Sequence, residues 1–161
     1  MCKHSDEPVL RLHLSAHDHA VTSLTWAMKQ GRVHLAVGCE DKIVRVFDVA
    51  FDTWTYKLTR SLEMHDSPVR SVEWTKDANR LATGGDDAAV RVVDTTSVDV
   101  AEWRVIWRID SLQMGLRADA QIRSVAWSPS DCTQVNQRQS TLSCTRCCKR
   151  AALGNGISGN D

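Results

Sequence analysis

Two histidine and aspartate pairs, His17 with Asp41 and His65 with Asp87, have side chains suited to chemistry. An imidazole beside a carboxylate can move protons or, with further donors, hold a metal ion. The separations are 24 and 22 residues, and no nucleophile or third partner recurs with both pairs. A pair that repeats without such a partner fits a repeated structural role, so no catalytic residue is expected and the chain is read as a non-enzyme. The other chemically suggestive stretch is "CTRCC", where Cys144, Cys147 and Cys148 have the Cys-x-x-Cys spacing of zinc and redox sites. A structural zinc takes about four ligands. All six histidines precede residue 66, and a second cysteine pair at matched spacing is missing. These are read as tail thiols, and no metal or other cofactor is expected.

The elements that must position the pairs recur along the chain. "VTSLTW" (Val21 to Trp26), "VRSVEW" (Val69 to Trp74) and "IRSVAW" (Ile122 to Trp127) are three copies of one motif. Six residues rich in Val, Ile and Trp, followed by turn residues, predict a short strand, with a bulge after Ser23, Ser71 or Ser124 to keep its apolar side chains on one face. In the first two copies a second shared block follows, "LAVGCEDKIVRVFD" (Leu35 to Asp48) and "LATGGDDAAVRVVD" (Leu81 to Asp94). Each predicts strand, tight polar turn, strand, with Gly38 and Gly84 opening the turns because glycine accepts positive φ. Trp54 to Leu62 and Glu102 to Ile109 predict a fourth strand in each repeat. Trp26, Trp74 and Trp127, at repeated strand positions, are expected to pack in the core between repeats.

A histidine ahead of the first strand and an aspartate closing the third make the repeat recognisable: it resembles the WD40 repeat, one unit of which forms one blade of a β-propeller. The resemblance covers residues 9 to about 129. It implies an all-β fold: a partial propeller of two four-stranded antiparallel blades (about 17–64 and 65–110) and the start of a third (about 122–129). It also implies an internal hydrogen-bonded brace of Trp, Ser or Thr, His and Asp within each blade. His65, Thr83 and Asp87 match that brace in the second repeat, and His17 and Asp41 in the first. Val37 replaces the first repeat's hydroxyl residue, the repeat-ending Trp-Asp is Phe47-Asp48 in one copy and Val93-Asp94 in the other, and Ala118 stands at the third histidine position. The resemblance places His19, Glu40, Ser67 and Asp86 on the face by which the family binds partners. Arg45 and Arg91, both in "VRV", are read as outward-facing strand positions.

Composition excludes little but agrees with this. In 161 residues, 20 basic and 20 acidic side chains cancel, giving no electrostatic reason to expect nucleic acid or a membrane surface as partner. The first 19 residues lack the apolar core of a signal peptide, and no run of about 18 apolar residues occurs, so an intracellular place, cytoplasm or nucleus, is expected. Residues 1–8 form an N-terminal arm and 9–131 the repeat domain. At "IRSVAWSPSDC" the pattern stops: residues 132–161 contain no aromatic residue, hold four of the six cysteines and carry a net +3, against −3 before them. They are expected to form a disordered, Cys-rich tail. The principal functional reading is a scaffold for protein–protein interactions within a larger complex, binding peptide segments or other subunits, with self-association through unpaired sheet edges as a second route. Two alternatives stand beside it: a truncated or mis-spliced propeller fragment with little autonomous function, and a metal or redox role for the tail.

Overall fold

The computed structural model describes residue 10, residues 12–115, 117 and 120–127, and the backbone of strands at 133–137 and 140–142. The chain is all-β. The first sheet has the order β1 (Val21–Lys29), β2 (Arg32–Cys39), β3 (Ile43–Ala50), β4 (Thr55–Glu63), and every neighbouring pair is antiparallel. The second repeats it with β5 (Val69–Trp74), β6 (Arg80–Gly85), β7 (Ala89–Asp94) and β8 (Arg104–Asp110), a single 3-10 turn at Val100–Glu102 leading into β8. The third begins with β9 (Ser124–Trp127) and continues through β10 (Thr133–Gln137) and β11 (Ser140–Leu142). The last two strands lie in residues that the composition assigns to a tail, so pairing with β9 carries the third sheet past residue 131. Arm residues 1–8, Ala118, and Cys132, Cys144, Cys147 and Cys148 lie outside the described residues.

Alternation along the strands sends successive side chains to opposite faces, and the faces of neighbouring sheets meet. Ala36, Val44, Val46 and Leu62 of the first blade pack against Val69, Val72, Trp74, Leu81, Val93 and Trp103 of the second. One residue along, Ala82, Val90, Val92 and Ile109 pack against Ile122 and Val125 of the third sheet. Fully burying one such Val, Ile or Leu stabilises by roughly 1.5–3 kcal/mol, so these two layers are the main cohesive contacts between blades. The first blade's other face, Leu35, Val37, Phe47 and Val49, is covered by Leu12, Leu14 and Ala16 from the segment ahead of β1.

Of the three motif tryptophans, Trp74 is 6% exposed and Trp127 packs at the margin of the core beside the third sheet, its indole N–H donating to the Glu73 carbonyl at 3.0 Å. Trp26 is different: it is 47% exposed and touches Phe51 rather than a neighbouring blade. The sequence placed it in an inter-blade core, but among the described residues no sheet packs against the face of β1 that carries Leu24, Trp26 and Met28.

The glycines also act differently from the sequence expectation. Gly38 and Gly84 lie inside β2 and β6. The left-handed turn residues are instead Lys42 (φ 74°) and Ala88 (φ 59°). A Cβ on Gly38 would stand 2.9 Å from the Val69 side chain; one on Gly84 would stand 2.5 Å from Ile122 and 3.0 Å from Val125. Each glycine is the hollow that seats the next blade's innermost strand. The bulges fall at Thr22 and Arg70, one residue ahead of the serines. The serines are thereby aimed sideways: Ser23 Oγ accepts from the Val72 amide at 3.2 Å, and Ser71 Oγ accepts from the Val125 amide at 3.1 Å.

Candidate functional site

In the second blade the chain brings His65, from the segment before β5, against Asp87, from the β6–β7 turn, at 3.0–3.1 Å through Nδ1. The opposite ring nitrogen, Nε2, lies 2.8 Å from the Thr83 hydroxyl on β6. Arg91 on β7 completes the cluster, its guanidinium 2.7 Å from both the Asp87 carboxylate and His65 Nδ1. Arg91 is 3% exposed, so the outward orientation expected for it is corrected: a buried cation needs a buried carboxylate, and the i,i+4 step from Asp87 supplies one. That signal was present as Asp-x-x-x-Arg in both aligned blocks, Asp41 to Arg45 and Asp87 to Arg91. Burial alone would raise the Asp87 carboxyl, but hydrogen bonding and charge from His65, with Arg91 beside it, outweigh burial and hold it well below the usual carboxylate range.

The first blade sets the same residues out with different chemistry. Arg45 donates to Asp41 at 2.6 Å and lies 3.4 Å from His17 Nδ1. Burial, then the Arg45 charge, lowers the His17 imidazole below its ordinary value. Asp41, despite burial, is lowered by hydrogen bonds from Arg45 and the Ile43 amide. Val37 occupies the place of Thr83, pairing with Arg45 as Thr83 pairs with Arg91, and among the described residues the buried His17 Nε2 has no hydrogen-bond partner. Restoring the hydroxyl with Val37→Thr should therefore stabilise the protein by about 1 kcal/mol, since an orphaned buried donor costs about that much. The check is a chemical-denaturation midpoint; a lower midpoint for the variant would refute the assignment. Cys39, which sequence reasoning passed over as one more thiol, is fully buried beside this pair.

The repeat-ending residues divide between core and surface. Phe47 and Val93 are fully buried, and half-buried Asp94 accepts from the Thr96 amide and hydroxyl at 2.9 and 2.7 Å. Asp48 Oδ1 lies 2.6 Å from His34 Nδ1 across the β2–β3 register, in a geometry poor for a hydrogen bond, and Arg32 is 3.6 Å from its other oxygen. His34 and Asp48 border a cleft of about 400 Å³ between the blades, with Lys29, Arg32, Lys57 and Trp103 among its other lining residues.

At the opposite end, the turns bring Glu40 and Asp86 to equivalent positions. Both are tied to one cation, Arg70 on β5, which donates to Asp86 at 2.6 and 2.8 Å and to Glu40 at 3.0 Å. The glutamate belongs to the first blade and the other two residues to the second, so this is a strut across the blade boundary. The hydrogen bonds that Arg70 donates to Asp86 and then to Glu40 outweigh burial and raise its guanidinium above its ordinary value. His19 is exposed and Ser67 half-buried in the segments entering β1 and β5. The resemblance placed Glu40 and Asp86 on one face without a residue to join them; Arg70, which does so, recurs as Arg123 in the third motif but is Thr22 in the first.

Residues 8–48 and 56–94 match the family profile described as "WD domain, G-beta repeat". The chain is similar to the protein transport protein sec13 of Aspergillus clavatus, 24% identical over 131 residues that cover 71% of this chain and 42% of the relative. The same protein of Emericella nidulans is 26% identical, covering 71% of this chain and 40% of the relative. Protein HIR2 of Candida albicans is 28% identical over 130 residues, covering 76% of this chain and 11% of the relative. The chain thus spans less than half the length of these curated relatives. Two matched repeats, each folded as a four-stranded antiparallel blade, make this chain a member of the WD40 repeat family.

Proposed function

We propose that the chain is a non-catalytic scaffold that holds protein partners inside a larger intracellular complex, and that it meets them at the end of the blades carrying His19, Glu40, Ser67 and Asp86. The observation that carries this reading is the Arg70 strut. It fixes acids from two blades at one end of a stiff sheet framework, so a docking peptide meets charges whose positions are already set and less ordering entropy is lost. Glu40 keeps 42% of its side chain exposed and Asp86 only 11%, so the accessible charge is mainly that of Glu40. The likeness to a protein transport protein makes protein transport one setting for such a scaffold.

Glu40→Arg reverses that charge and faces Arg70 with a like one. Partners cross-linked to the full chain in its native cell should be lost at least about ten-fold with Glu40→Arg, a difference of about 1.4 kcal/mol. Unchanged yields for the variant would rule out this face. Self-association through the edges is a second reading, favoured by the bare side of β1, where Leu24 is 57%, Trp26 47% and Met28 72% exposed. In sedimentation over a concentration series, Met28→Lys should shift the wild-type distribution toward monomer; a wild-type chain that is monomeric throughout would end this reading.

A further inference from the structure

The two blades hold the same framework of histidine, aspartate and arginine, and they differ at two positions beside it. Where the second blade has Thr83 and Gly85, the first has Val37 and Cys39. A Cβ added to Gly85 would stand 2.8 Å from the Pro68 carbonyl, 3.1 Å from His65 Nδ1 and 3.3 Å from Asp87 Oδ1, so a side chain at this position lies beside the histidine and aspartate. In the first blade the side chain at this position is the Cys39 thiol, which donates to the His19 carbonyl at 3.4 Å. One donor atom from each of His17, Cys39 and Asp41 lies within 4.8 Å of the other two. Loss of the Thr83 hydroxyl at Val37 also removes the bond that, in the second blade, holds the far side of the ring.

We propose that His17, Cys39 and Asp41 form a binding site for a thiophilic d10 cation, Zn²⁺ or Cu⁺, between the segment ahead of β1 and the β2–β3 turn. Such ions lack a geometric demand from their d-electrons, and soft thiolate and imidazole donors select them. Zinc sits about 2.3 Å from sulfur and 2.0–2.2 Å from nitrogen or oxygen, so the three donors need to close by roughly 1 Å around it. A ligating imidazole binds in its neutral form, with a ring nitrogen lone pair offered to the ion. One proton leaves the Cys39 thiol as the sulfur–metal bond forms. Arg45 already donates to Asp41 Oδ2 and the Ile43 amide to Oδ1, so the ion would use a remaining lone pair of that carboxylate. The carboxylate, the thiolate and the guanidinium sum to one negative charge. One Cu⁺ neutralises that sum and Zn²⁺ exceeds it by one, so the two ions form separate arms of the test.

The experiment uses the full chain with Cys2, Cys132, Cys144, Cys147 and Cys148 replaced by serine, leaving Cys39 as its one thiol. Co²⁺, as a reporter for zinc, is titrated while thiolate-to-metal charge-transfer absorption is followed; Cu⁺ is titrated against a competing chelator. One equivalent of at least one ion should bind, with loss of the absorption or competition signal in Cys39→Ser and affinity at least about ten-fold weaker in His17→Gln. Failure of both ions to bind stoichiometrically would overturn the site. So would binding that is indifferent to His17→Gln. Far-UV circular dichroism on each variant ensures that a lost signal reports lost ligands in a folded chain; if Cys39→Ser does not fold, the His17→Gln titration decides alone.

Discussion

Asp87→Asn should lower the unfolding free energy by about 3–5 kcal/mol, because it leaves the buried Arg91 guanidinium without its carboxylate. The amide can still meet His65, so the loss falls chiefly on the charge balance around Arg91. The same pair makes stability depend on pH with a definite sign. The folded carboxyl is depressed, so its contribution is complete above the unfolded value of about 3.9 and declines as pH falls from there toward the lower folded value. Wild type and variant should therefore differ most near pH 7 and converge as acid is added below about pH 4. Urea titrations at pH 7 and pH 3 measure this. A difference below about 1 kcal/mol at pH 7, or one that does not shrink at pH 3, would show that the cluster is not held by its charge.

Gly84→Val should be comparably damaging by a different route. The added Cβ alone would overlap Ile122 and Val125, and the branched methyl groups enlarge the conflict, so a cost of about 3 kcal/mol is expected. The damage should be local to the joint between the second blade and the third sheet. Trp127, whose indole is bonded to the Glu73 carbonyl across that joint, should report it as a fluorescence change at lower denaturant than in wild type. Gly38→Val is the matched test at the joint between the first two blades, against Val69 and Val72. If either variant unfolds within about 0.5 kcal/mol of wild type, the glycine hollow is not what sets the blade spacing.

The fold was legible because the residues that build blades repeat. The motif at Val21, Val69 and Ile122 and the aligned blocks at Leu35 and Leu81 locate β1, β2, β3, β5, β6, β7 and β9, and the fourth strands begin within two residues of their expected starts. What escaped depended on neighbours that sequence adjacency does not show. Gly38 and Gly84 stand next to polar turn residues and were read as turn glycines, but their need arises from side chains over 30 residues away. Trp26 shares its motif with Trp74, yet exposure depends on whether a sheet lies opposite. β10 and β11 carry no strand-like alternation; β10 pairs with β9, and β11 with β10. The site was legible in its histidines and aspartates. Arg91 was missed because "VRV" alternates like any strand with an outward polar residue, although its four-residue step from Asp87 was available.

The serine contacts give the stack a direction. Ser23 takes an amide from the blade that follows it, and Ser71 does the same one blade later. Each blade thus hands an acceptor forward and receives with a donor, so its two faces are as unlike as plug and socket. A blade turned over, or presented from the wrong side, would bring amide to amide, two donors with nothing to accept them, and the joint would be disfavoured even where apolar surfaces still matched.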